Sequence, residues 1–70
     1  MKKTIVDCPN KSLLEIVLIT LIDTKKKMTV YPESYRIELF NASKNEIEEY
    51  LFLSSINTNT LSIYEVNYKD

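Results

Sequence analysis

No glycine occurs anywhere in the 70 residues of this chain, although average usage of ~7% would supply about five. Phosphate-cradling loops, dinucleotide fingerprints and nucleophile elbows all need backbone that adopts positive φ or approaches a ligand closely, so these machineries are excluded. Histidine is missing as well, which removes a Ser-His-Asp triad and a histidine-based metal site. Cys8 is the single cysteine. It has no partner for an internal disulfide and cannot build a cysteine-only zinc site, so the chain reads as a cytoplasmic protein that calls for no metal and no cofactor.

Long apolar runs are lacking too. The longest, Leu13 to Ile22, is 10 residues with Glu15 inside it, against ~20 needed to cross a bilayer, so it reads as core and no membrane partner is expected. Asp7 and Pro9 separate the Lys2-Lys3 start from that run and no small-residue cleavage site follows, which argues against a signal peptide. Nor does one sign of charge dominate: 9 Lys+Arg face 10 Asp+Glu, for a net −1. No basic stripe accompanies the five tyrosines and two phenylalanines, so direct nucleic-acid binding is not expected and the aromatics read as core and strand residues. The charges are nevertheless uneven, +3 over residues 1–32 and −4 over residues 33–70. That asymmetry fits either an ordinary solvated surface or a docking surface around Glu46, Glu48 and Glu49.

What remains is ordinary for a small globular core. At 44% hydrophobic and this length, residues 1–70 make a single α/β domain that buries about 60% of its unfolded surface, too little to enclose a large active site. Lys3 to Asp7, β-branched at Thr4, Ile5 and Val6, reads as a first strand ending before Pro9. A helix follows to about Asp23, started either by Pro9 in the first turn or by the capping-box pattern Ser12-x-x-Glu15. The β-branched residues Ile16, Val17, Ile19, Thr20 and Ile22 would also suit a buried strand, but two start signals precede them. Lys25-Lys26-Lys27 suits the helix C-terminus, where cations are favoured, and Met28 to Tyr31 is a second strand stopped by Pro32.

Residues 33–55 parse in two ways. In one, Tyr35, Ile37 and Leu39 alternate with Arg36 and Glu38 as a strand, and Ser43-x-x-Glu46 opens a helix to about Ser55. In the other, Pro32 opens a helix over Glu33–Lys44, Glu46–Ser55 is a strand, and Asn57-Thr58-Asn59 turns a hairpin into a last strand Thr60–Tyr68. The run Tyr50-Leu51-Phe52-Leu53 favours the second, because four consecutive large apolar residues suit a central strand. Both parses give a two-layer α/β sandwich with two helices on one face of a four-stranded mixed sheet, of order βαβαββ in the second and ferredoxin-like βαββαβ in the first.

Cys8 is the residue type with chemistry to offer. Between a strand and a helix start, its sulfur would feel the positive end of the helix dipole and unsatisfied N–H groups, which stabilise a thiolate. Lys11, one turn on, would add positive charge. The competing reading is a small buried hydrophobe, as a lone cysteine commonly is. The run Thr4-Ile5-Val6-Asp7-Cys8-Pro9, the helix Leu13–Ile22, the strand Met28-Thr29-Val30 ended at Pro32 and the last hairpin resemble the TusA/SirA-type sulfur-carrier family, small βαβαββ proteins with a Cys-Pro-x-Pro motif at the first helix. Lys11 replaces the second motif proline, and Tyr31 stands where that family has an acidic residue. The resemblance favours the order βαβαββ and implies that Cys8 carries persulfide sulfur; Lys11, where that family has proline, would add electrostatic support by its own charge. Its protein partners would be a donor such as a cysteine desulfurase and an acceptor in tRNA thiolation or another sulfur-using pathway. Such a chain is a sulfurtransferase-like carrier rather than a true catalyst. The alternative is a non-catalytic interaction or inhibitor module that uses an acidic surface or a sheet edge.

Overall fold

The computed structural model describes residues 1–68. Its strands are β1 (Lys2–Asp7), β2 (Met28–Tyr31), β3 (Arg36–Phe40) and β4 (Ser62–Asn67); its helices are α1 (Lys11–Ile22) and α2 (Lys44–Leu53), with single 3-10 turns at Pro32–Ser34 and Thr58–Thr60. The strands form one sheet in the order β2-β3-β1-β4, antiparallel at every junction. The two-layer sandwich with two helices on a four-stranded sheet is as expected. The order, however, is the ferredoxin-like βαββαβ rather than βαβαββ, and the sheet is antiparallel rather than mixed.

The difference arises in residues 33–55. Pro32 opens only a 3-10 turn, because Tyr35 adopts a left-handed conformation (φ 54°) that ends it and releases Arg36 into a strand. Ile37 and Leu39 then point into the core at two-residue spacing while Glu38 takes the other face. Ser43 and Glu46 form the full capping box, each side chain accepting the other's backbone N–H. The expected strand Glu46–Ser55 is thus a helix, with Ile47 and Leu51 buried one turn apart while Phe52 and Leu53 are 72% and 74% exposed. Asn57-Thr58-Asn59 makes no hairpin; Asn57 caps a 3-10 turn through its side chain, which accepts Asn59 N–H at 3.0 Å.

α1 forms as a helix despite its β-branched residues, but by a different start. Asn10 is the N-cap, accepting Leu13 N–H at 2.9 Å, and Pro9 lies outside the helix. Neither Pro9 in the first turn nor the Ser12/Glu15 box serves. Leu14, Val17 and Leu21 recur on one side and meet Val6, Ile37, Leu39, Ile47, Leu51 and Ile63 in one core. Thr4, fully buried on β1, donates its hydroxyl to the Ala42 carbonyl at 2.9 Å, so its polar atom enters the core paired. In a glycine-free chain the left-handed positions among the described residues fall to Lys25, Tyr35, Asn41 and Ser55, all at turns; asparagine tolerates that region, whereas each of the other three carries a cost of about 1–2 kcal/mol.

Candidate functional site

Cys8 follows the last residue of β1, and its N–H donates to the Tyr35 carbonyl at 2.8 Å, tying β1 to the turn before β3. Cys8 is 7% exposed and belongs to the core with Val6, Leu14 and Val17. This overturns the expectation of an exposed thiol at a helix N-terminus: Asn10 caps the helix two residues on, and Cys8 is packed into the core. Burial, with the Asp7 carboxylate adding to it, pushes the thiol up to about 11 instead of lowering it. Lys11 opens α1 and is exposed. It lines a groove to which Cys8 does not contribute.

That groove was not anticipated. It runs between α1 and β2, holds about 540 Å³, and is lined by Leu14, Leu18, Val30, Pro32 and Tyr35, with Lys11, Glu15 and Glu33 at its rim. α1 explains it. The helix carries apolar residues almost all round, so Ile16, Ile19 and Ile22 stand 51%, 68% and 54% exposed after its inner side is buried. A helix apolar on every side is normally covered on every side. β2 borders the groove as an outer strand, paired only with β3. In the sequence, the excess of apolar residues in α1 beyond one face signals this exposed apolar surface and not the groove, whose α1 lining is Lys11, Leu14, Glu15 and Leu18.

The open face of the sheet is built differently. Lys3 Nζ lies 3.0 Å from Glu38 Oε1, and Arg36 Nε 2.8 Å from Asp7 Oδ1, with Tyr64 Oη donating to Asp7 Oδ2 at 3.3 Å. The Asp7 bond and charge hold the Arg36 guanidinium still more firmly protonated. Phe40 and Tyr68 meet edge-on at 5.6 Å, each with Lys3 Nζ 5.8 Å from its ring. Cations and anions on this face neutralise one another in place. The acidic surface is likewise partly engaged, since Glu46 closes the capping box and lies 3.3 Å from Lys26. Among the described residues, no three acidic or cysteine side chains gather as a metal site, and no helix is long and apolar enough to cross a membrane.

Compared with family models, with curated proteins and with solved structures, the chain has no match. Fold and site together define a small ferredoxin-like α/β module whose cysteine is internal and which carries an apolar groove beside a strand edge.

Proposed function

We propose that this chain is a non-catalytic protein-interaction module that receives an extended segment of polypeptide along β2, with alternate side chains seated in the groove beside α1. The observation that carries this reading is the adjacency of the apolar groove to an outer strand. Strand addition needs both parts: unpaired backbone groups supply affinity, and a neighbouring pocket supplies selection among alternate side chains. Exposed Ile19 and Ile22 extend the apolar surface along α1.

The sulfur-carrier reading rests on the Cys8-Pro9 dipeptide between β1 and α1. It requires the sulfur to emerge, since a thiol at about 11 holds only about one part in ten thousand as thiolate at neutral pH.

One pair of experiments tests the two readings. The labelled protein is titrated with a library of extended apolar peptides, and separately incubated with a cysteine desulfurase and cysteine. The module reading expects methyl shifts confined to Leu14, Leu18 and Val30 and no added sulfur. A gain of ~32 Da that Cys8→Ser abolishes, without peptide shifts in the groove, replaces it with persulfide transfer.

A further inference from the structure

Resting on that module reading, we infer that the segment received along β2 is β2 of a second copy of this chain, the two strands pairing antiparallel about a two-fold axis at Thr29.

Backbone direction supplies the first argument. The Lys27 carbonyl accepts Phe40 N–H at 2.9 Å, so residue 27 turns its backbone groups towards β3. In an antiparallel ladder, residues 29 and 31 then do the same, and Met28 and Val30 direct their N–H and C=O groups outward. A two-fold axis at Thr29 sets Met28 opposite Val30 of the second copy, and Val30 opposite its Met28. Each such pair exchanges both N–H···O bonds. The side chains agree with this register: Met28 and Val30 face the helix layer in register with buried Leu39 and Ile37, so apolar meets apolar there and Thr29 meets Thr29 on the open face.

Charge supplies the second. Beyond one end of β2 lies the turn Lys25-Lys26-Lys27, and beyond the other the turn Pro32–Ser34 with Glu33. Among the described residues, Lys25, Lys27 and Glu33 form no ion pair. Antiparallel pairing brings each lysine turn beside the Glu33 turn of the other copy, at both ends of the seam. A second copy therefore offers β2 an edge matched in backbone, side-chain face and charge. The other outer strand, β4, carries Glu65 as its one charged residue, so symmetric pairing there meets no opposite charge. The helix layer follows: Ile22 lies four residues after Leu18 on the groove side of α1, and the two copies of α1 close over each other's groove.

The test is sedimentation equilibrium across a concentration series, with amide hydrogen exchange at low and high concentration and circular dichroism to verify folding. We expect a dimer in which the Met28 and Val30 amides become protected as concentration rises, while Thr29 and Tyr31, already bonded to β3, stay unchanged. Glu33→Lys, on an exposed turn, should weaken the dimer about tenfold or more, because symmetry spoils both ends of the seam. Adding Lys25→Glu and Lys27→Glu to that variant should restore it. Three results overturn the inference: a monomer up to ~1 mM, a dimer whose Met28 and Val30 amides stay unprotected, or a dimer that ignores the charge reversal while remaining folded. A monomer that binds extended peptides in the groove refutes self-pairing and leaves the module reading standing; a monomer that binds none removes both.

Discussion

The burial of Cys8 makes a prediction that can be worked through from the structure. With the thiol pushed from 9.0 up to about 11, its thiolate fraction at pH 8 is about 0.001, against about 0.1 for the same residue in unfolded chain. A more basic thiolate is intrinsically the better nucleophile, with a Brønsted slope of about 0.4–0.5, which returns roughly tenfold of that hundredfold difference. Titration alone therefore slows alkylation of the folded protein about tenfold, and with the residue buried in the core, restricted access slows it further. The assay is iodoacetamide labelling followed by intact mass, from pH 7 to pH 11, with and without ~6 M guanidinium. The folded rate should climb steadily through pH 10, whereas the unfolded rate levels off above pH 9. A folded rate that plateaus near neutral pH, or that matches the unfolded rate at pH 8, refutes the argument and returns Cys8 to the role of a poised thiolate. The same shift has a stability consequence. Below pH 9 the thiol is protonated in both states, so stability is unaffected; above it the unfolded chain ionises first and stability falls until pH 11. Two pH units correspond to a loss of up to about 2.7 kcal/mol. Cys8→Ala should flatten this part of the pH profile.

Asn10→Ala should cost about 1 kcal/mol in urea unfolding because it removes the cap of α1, while Ser12→Ala should cost less than half of that; equal losses would return the helix start to Ser12 and Glu15. Leu51→Ala should destabilise by about 2–5 kcal/mol and Leu53→Ala by under about 0.5, since the first is buried and the second exposed; comparable effects would contradict the helical face assigned to α2. Ser55→Gly should raise stability by up to about 1 kcal/mol by relieving a left-handed residue (φ 66°) after α2, and a loss in thermal unfolding would show that the turn is held by other contacts.

Much of the fold was legible locally. The two-layer class, β1, the helical character of residues 11–22 and the strand Met28–Tyr31 followed from β-branched runs, a proline stop and helix-start chemistry, all interactions within a few residues. Ser43 and Glu46 signalled α2 by the same logic. Tyr50-Leu51-Phe52-Leu53 speaks against them locally, because four adjacent apolar residues suit a strand buried on both sides. Only tertiary packing decides that point: the core has room for Ile47 and Leu51 on one helical face, and Phe52 and Leu53 are left in solvent. Pro32 was ambiguous for the same reason, since a proline can open a helix or a single turn and the pairing of β3 against β1 selects the turn.

The composition of the chain by itself determined which chemistry it could not perform, because glycine-dependent loops and histidine ligands are absent however the chain folds. It could not determine the state of Cys8. A thiol between a strand and a helix becomes a poised thiolate or an inert core atom according to which way the sulfur points. That direction is set by Asn10 capping α1 and by Tyr35 receiving the Cys8 N–H from 27 residues away. The groove beside β2 belongs to the structure in the same way. It exists because α1 is laid beside an outer strand, and no local pattern records which strand that will be.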